Sequence, residues 1–255
     1  MRLRAWLAGE ISLSPTSVER HYRVFKEKPL LTQLDLVEQS VFEALKHEMP
    51  IKEVNKDTEH ALRLLGSLRD NRRGLRRALK AYWTGDQQYL SRHPATLAWY
   101  KEHPAIPRDI WEFGIPREFN EISLSIERNP TEVLKLGEYA GSCLGIGGVC
   151  ADSAAAVLLD INKQVLYARN RQRRVVGRQL LAISDDNRLI CFNVYPLTTS
   201  GSIKAAFFEY DFAFADALGV SVFDPLEQDA PEYTVRSVLS DYWWDDGSWD
   251  FNSNA

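Results

Sequence analysis

Cys143 stands in the run Gly141-Ser142-Cys143-Leu144-Gly145-Ile146-Gly147-Gly148. A cysteine in a glycine-rich loop ahead of a helix has backbone amides at hand to stabilise its thiolate. A nucleophile also needs a base, and all five histidines (His21, His47, His60, His93, His103) precede it, so His93 or His103 would have to arrive from another region. Cys143 is the one candidate for catalysis, against the competing reading of a buried structural cysteine beside a tight turn. The same glycines lack the Lys-Ser/Thr ending of a phosphate-binding P-loop.

Arg69, Arg72, Arg73, Arg76, Arg77 and Lys80 are spaced i, i+3, i+4, i+7, i+8, i+11. On a helix this spacing makes a single basic stripe. A second concentration, Arg169, Arg171, Arg173, Arg174 and Arg178, falls around a hairpin-length turn. Such arginines suit a phosphate backbone or an acidic protein face. The competing reading is a solvated helix face and a polar turn. The C-terminal run from Asp241 to Phe251 alternates carboxylates with Tyr242, Trp243, Trp244 and Trp249. Tryptophans anchor interfaces well, so this run is expected to bind a partner or to dock on its own chain. Asp152, Asp160, Asp185 and Asp186 show no pairing for acid–base work, and turn or helix-end roles explain each. Cys143, Cys150 and Cys191 form no Cys-x-x-Cys pair, so no metal site is expected.

The elements that position these residues read as follows. Leu31–Leu45 has helical spacing, and a long helix is predicted from Lys56 to Trp83, with Ala61, Leu64, Leu65, Leu68, Leu75, Leu79 and Tyr82 on one arc. Gly74 weakens it by roughly 1 kcal/mol. Pro94, Pro104, Pro107 and Pro116 punctuate short helices up to a boundary near residue 115. Ile122–Ile126 alternates as a short strand or extended entry, and Ala151–Leu159 reads as a small buried helix. Residues 164–168, 174–183 and 188–195 then form a three-stranded antiparallel meander with turn-rich connections. Thr198-Thr199-Ser200-Gly201-Ser202 opens a helix through Leu218. Val220–Phe223 reads as a strand and Tyr233–Leu239 as a short helix.

The chain of 255 residues is 45% hydrophobic and 26% charged, an ordinary globular composition. Its net charge of −4 divides unevenly: residues 1–120 carry 20 basic against 16 acidic side chains, residues 121–255 carry 11 against 19. The sequence pI of about 5.8 lies below that of a dedicated nucleic-acid domain. No apolar run approaches the ~18 residues of a membrane span, and no secretory signal is read at the start, so a cytoplasmic, non-membrane protein with free thiols is expected.

The order strand, strand, strand, helix, strand between Gln164 and Phe223 resembles the core of the GNAT acyltransferase superfamily. Arg174-Val175-Val176-Gly177 and Val194-Tyr195-Pro196 sit where that family often has a similar strand and a Val-x-Pro before the cofactor loop. The resemblance implies acetyl-CoA with its pyrophosphate at Thr198, Thr199, Ser200, Gly201 and Ser202, on a helix N-terminus. This loop departs from the family pattern in having one glycine and no Arg or Gln. Leu136–Leu144 and Leu166–Arg169 are similar in texture to PcfJ-like proteins of bacterial mobile elements, which implies a nucleic-acid context without defined chemistry.

The sequence thus predicts an α+β protein: a mainly helical region (1–115), an antiparallel sheet with covering helices in GNAT-like order (116–225) and an acidic aromatic tail (226–255). Its expected role is a protein-interaction or regulatory module that binds an acidic partner or nucleic acid. The contacts would come from Arg69, Arg72, Arg73, Arg76, Arg77, Lys80, Arg171, Arg173, Arg174, Trp243, Trp244 and Trp249. The alternative is a divergent acyl-CoA-dependent N-acyltransferase.

Overall fold

A computed structural model describes residues 30–224 and 232–244, with side chains from residue 35 onward. The chain divides into two compact units, Met1–Leu45 and Lys46–Ala255. Helix α1 (Leu30–Glu48) supplies the described part of the first unit and runs on into the second.

The second unit begins with α2 (Lys56–Ser67) and α3 (Arg72–Trp83). The single helix expected over this stretch is therefore two. The break at 68–71 has a tertiary cause: the Asp152 carboxylate accepts the backbone amides of Arg69, Asp70 and Asn71 at 3.0, 3.0 and 2.7 Å. These bonds replace the i−4 carbonyls that a continuous helix would supply. Gly74 sits within α3 where a Cβ would meet Leu159 Cδ1 at 2.9 Å, so its missing side chain lets α3 close on the helix behind it.

Two of the prolines start helices. Pro94 opens α4 (Pro94–Glu102), with the His93 side chain accepting from the Ala95 amide, and Pro107 caps α5 (Arg108–Phe113). Proline suits these positions because its missing N–H is one that a helix start leaves unbonded.

The sheet has five strands in sequential order: β1 (Arg117–Phe119), β2 (Ile122–Ile126), β3 (Lys163–Asn170), β4 (Val175–Ile183) and β5 (Leu189–Cys191). All neighbours are antiparallel, so the expected three-stranded meander is the far side of a wider sheet. Between β2 and β3 lie the short helices α6 (Pro130–Val133) and α7 (Leu136–Ala140) and then α8 (Ala151–Leu159). After β5 comes α9 (Gly201–Leu218), ended by Gly219 in the left-handed conformation at φ 71°. Beyond it the expected strand shrinks to one parallel bridge, Val222 to Leu189.

Both faces of β3 and β4 are covered, which makes three layers. Leu124, Ile126, Leu166, Ala168, Leu181 and Ile183 pack with Phe207, Tyr210, Phe214 and Leu218 of α9 and with Trp99 and Trp111. On the opposite face α8 lies on β3 and α7 on β4, and the buried Ala154, Ala155 and Ala156 give α8 a small-residue surface. The α+β class follows from this layering.

Residues 232–244 form an irregular strap, not the helix expected at Tyr233–Leu239. Its backbone is satisfied by side chains of the body. Asp160 Oδ1 accepts the amides of Val238, Leu239 and Ser240 at 3.1, 2.6 and 2.7 Å, and Asp160 Oδ2 accepts the Ser240 hydroxyl at 2.6 Å. Amides bound to a carboxylate cannot also close helical turns.

Candidate functional site

The amphipathic pattern of α3 turns Leu75, Ala78 and Leu79 inward and leaves Arg73, Arg76, Arg77 and Lys80 exposed. These cations differ in what they already hold. Arg76 pairs with Glu48 at 2.7 Å. Arg72 is half-buried, and its Nη2 donates to the carbonyls of Gly66 and Leu68 at 2.8 and 2.7 Å, closing the C-terminal end of α2. Arg69 lies off the helix and bonds to Asp70 at 3.2 Å. Arg73, Arg77 and Lys80 make no ion pair among the described residues, and their i, i+4, i+7 spacing sets them one turn apart. The six-residue stripe read from the sequence is therefore a three-residue cationic row flanked by residues with structural duties.

The β3–β4 turn presents the second cluster. Asn170 organises it: its side-chain oxygen accepts the amides of Gln172 and Arg174, both at 3.0 Å. Arg173 adopts φ 60°, the left-handed conformation that this turn requires. Arg171, Arg173 and Arg174 are all exposed; Arg171 approaches Glu121 at 3.5 Å, whereas Arg173 and Arg174 pair with no carboxylate among the described residues. Arg173 also lines an open groove of about 500 Å³ with Ser123, Ser125, Arg128 and Arg169. Within it Arg169 is engaged by Glu127, and Arg128 donates to the Glu112 carbonyl at 2.7 Å. Arg178 does not belong to this surface, being buried in the sheet with its guanidinium 4.5 Å from the Tyr195 ring.

Cys143 is exposed in a tight loop. A Cβ on Gly148 would stand 2.1 Å from the Cys143 carbonyl oxygen, and the Cys150 amide donates to that same oxygen at 3.1 Å. Neither histidine weighed as its base is poised for the purpose. His103 is buried, stacked on Trp99 and bonded to Asn187 at 2.8 Å, and His93 caps α4. His60 reaches this loop through Glu138: its Nε2 lies 3.5 Å from Glu138 Oε1. That same carboxylate oxygen accepts the Ile146 amide at 3.0 Å. Burial lowers the His60 pKa and outweighs the opposing pull of Glu138. No sequence spacing links His60 to this loop.

The segment Thr198–Ser202 leads into α9. Ser200 Oγ accepts the Ile203 amide at 3.4 Å, and the Thr199 amide donates to the Pro196 carbonyl at 2.8 Å. The Thr199 hydroxyl is buried without a partner.

The tail residues separate. Trp243 is half-buried, 6.0 Å from the Phe192 ring and with Lys163 Nζ 5.0 Å from its own ring centroid. Trp244 is exposed while its amide donates to Ser153 Oγ at 3.0 Å. Trp249 lies outside the described residues. Two features that sequence reasoning did not single out hold this strap. Asn71 accepts the Asp241 and Tyr242 amides at 2.7 and 3.1 Å and donates to the Tyr242 carbonyl at 2.7 Å. Lys163 forms a fully buried pair with Asp160 at 2.8 Å and donates to the Arg236 carbonyl at 2.8 Å. Burial pulls the Lys163 pKa down, against the opposing Asp160 charge.

Among the described residues no group of three or more metal-ligating side chains converges, and no helix is long and apolar enough to cross a membrane. Comparison with known protein families, with curated proteins and with solved structures finds no match to this chain.

Proposed function

We propose that this chain is an interaction module that receives an acidic face of another protein on the row Arg73, Arg77 and Lys80 and on the hairpin arginines Arg173 and Arg174. The observation that carries this reading is the contrast in pairing. Arg63, Arg76, Arg92, Arg108 and Arg128 all hold carboxylates, whereas these five exposed cations hold none among the described residues. A row of one-sign charge on a rigid helix steers association with an oppositely charged surface. A net charge of −4 for the chain favours a protein partner over a nucleic acid. The test is retention of partners in native co-purification, comparing the natural chain with the triple variant Arg73→Glu, Arg77→Glu, Lys80→Glu. All three side chains are exposed, so the fold is expected to survive. The variant should lose the retained protein, and nuclease treatment should leave retention by the natural chain unchanged. Equal retention by the variant removes the row from the interface; loss on nuclease treatment makes the partner a nucleic acid.

A second reading, a divergent acyl-CoA-dependent N-acyltransferase with acetyl-CoA at Thr198–Ser202, is favoured by the parallel bridge between Leu189 and Val222 with α9 as the crossover. That connection sets the start of α9 beyond the carboxyl end of β5, where open sheets bind ligands. The fit is partial: Ser200 already caps the Ile203 amide, and the loop carries no Arg or Gln for a pyrophosphate. Thermal unfolding with and without acetyl-CoA tests it, since a native-state ligand raises the midpoint by mass action. An unmoved midpoint at about a hundredfold excess over a micromolar Kd dismisses this reading.

A further inference from the structure

We propose that the cavity of about 320 Å³ between the end of α3, the start of α4, and the junction of α8 with β3 is a binding site for a small organic cation, an amine or guanidine on an apolar body. Its volume lies at the lower bound of small-molecule pockets. Two polar side chains in its wall are more than nine-tenths buried and incompletely bonded. Thr96 is 0% exposed and its hydroxyl has no partner. Gln164 is 7% exposed; its Nε2 is spent on the Trp111 carbonyl at 2.6 Å, and its Oε1 has no partner. Buried polar atoms in native proteins are almost always satisfied, by protein, water or ligand. The Gln164 oxygen can only accept, so whatever satisfies it is a donor.

The charges of the wall fix the sign of that donor. Asp86, Glu112, Glu127 and Asp160 line the cavity, against Arg128 and Lys163. Both cations are committed. Arg128 donates to the Glu112 carboxylate and carbonyl, and Lys163 donates to Asp160, Asn162 and the Arg236 carbonyl. The cations that pair with Asp86 and Glu127 are Arg92 and Arg169, and neither lines the cavity. The four carboxylates are engaged as well, Glu112 by Arg108 and Arg128 and Asp160 by Lys163 and the strap, but they outnumber the cations of the wall four to two, and the open Gln164 oxygen can only accept, so the wall favours a cationic donor over an anion. Tyr82 and Tyr89 also line the wall and offer ring faces for a cation, and Val133, Val157 and Val165 supply apolar surface for the rest of the molecule. This site is independent of the cationic row on α3 and of the hairpin arginines.

Isothermal titration of the full chain tests the proposal with phenethylamine, agmatine and spermidine as probes, and with 2-phenylethanol and 3-phenylpropionate as neutral and anionic counterparts of the first. At least one cation should bind, and the matching neutral and anionic molecules should bind about tenfold more weakly or not at all. Thr96→Val removes an unpartnered hydroxyl while keeping side-chain shape, so the protein should fold and bind the same amine several-fold more weakly. Gln164→Leu should abolish binding, with circular dichroism confirming the fold because the Trp111 carbonyl loses its donor. The proposal is overturned if no cationic probe binds at about 10 mM, the outcome expected of a cavity that holds water alone. It is equally overturned if 3-phenylpropionate binds as well as phenethylamine, or if Thr96→Val leaves the affinity unchanged.

Discussion

Asp211 is a carboxyl group inside the core, and its titration should be visible in the stability of the whole fold. It sits on α9 facing the sheet, 1% exposed, with Oδ2 accepting from Gln179 Nε2 at 2.8 Å and Oδ1 without a partner. Desolvation pushes its pKa up to about 7, against smaller opposing contributions from the Gln179 amide that donates to it and from the neighbouring Cys191 thiol. In the unfolded chain the same group titrates near 3.9. Between these values the native state binds the proton that the unfolded state has lost, so stability falls as pH rises. The effect of this group is complete below about pH 4 and lost above about pH 7. At about 1.4 kcal/mol per unit over about three units, the loss amounts to about 4 kcal/mol. Asp211→Asn removes the titration while keeping an oxygen for Gln179. The assay is urea unfolding followed by fluorescence of the buried Trp99 and Trp111, run on both proteins from pH 4 to 8. His60 contributes with the opposite sign, because burial lowers its pKa. It is common to both proteins and cancels in their difference. The natural chain should lose stability relative to Asp211→Asn across this range by a few kcal/mol. Parallel curves would refute the placement of an ionisable Asp211 in a dry core.

Other consequences are as specific. Asp160→Ala leaves Lys163 buried without its counter-charge and four strap donors unbonded; breaking such a pair costs about 3–5 kcal/mol, read from the urea midpoint. Hydrogen exchange at residues 238–240 should accelerate in that variant, and unchanged protection there would place the strap's hold elsewhere. Gly137→Ala puts a Cβ 2.1 Å from the Gly145 backbone nitrogen, so the loop must move; a cost of about 3 kcal/mol is expected from such overpacking, checked as a drop in melting temperature. Arg72→Met should destabilise by about 1–3 kcal/mol, because two carbonyls ending α2 lose a charged donor. Arg73→Ala, on the same helix but without a partner, should fall within about 0.5 kcal/mol in the same measurement.

Much of the layering was legible in local periodicity. The alternation in Ile122–Ile126, the apolar run of Ala151–Leu159 and the turn residues around Asn170 and Asn187 report short-range geometry, and the corresponding elements form. Two of the misreadings share one physical origin: a distant carboxylate replaces a local hydrogen bond. Leu64, Leu68 and Leu75 fit one helical arc, yet the helix stops between them because Asp152, more than 80 residues away, takes the amides of 69–71. Val235 and Leu239 fit a helical face, yet Asp160 takes the amides of 238–240. The basic stripe was legible as a row of charge. Which of its members hold carbonyls or carboxylates was not, because Gly66, Leu68 and Glu48 enter only through the packed fold.

Among the described residues the acidic tail makes no ion pair with the basic stripe. A sequence with positive charge in one half and negative charge in the other invites the two to be paired. The described part of the tail is instead held at its backbone by Asn71, Ser153, Asp160 and Lys163, and by side chains, Arg236 on Glu102 and Asp185 and Trp243 against Phe192, while its carboxylates Glu232 and Asp241 remain exposed. Backbone capture depends little on the side chains captured and is insensitive to salt once buried. Salt should therefore weaken partner retention on the α3 row, where charge is exposed and screened, and leave the backbone-held stretch 238–244 in place. Measuring both in one titration, retention by pull-down and strap protection by hydrogen exchange, distinguishes an anion-binding surface from a surface reserved for the chain's own tail. Loss of strap protection in parallel with partner release would mean that the row and the tail are one interface after all.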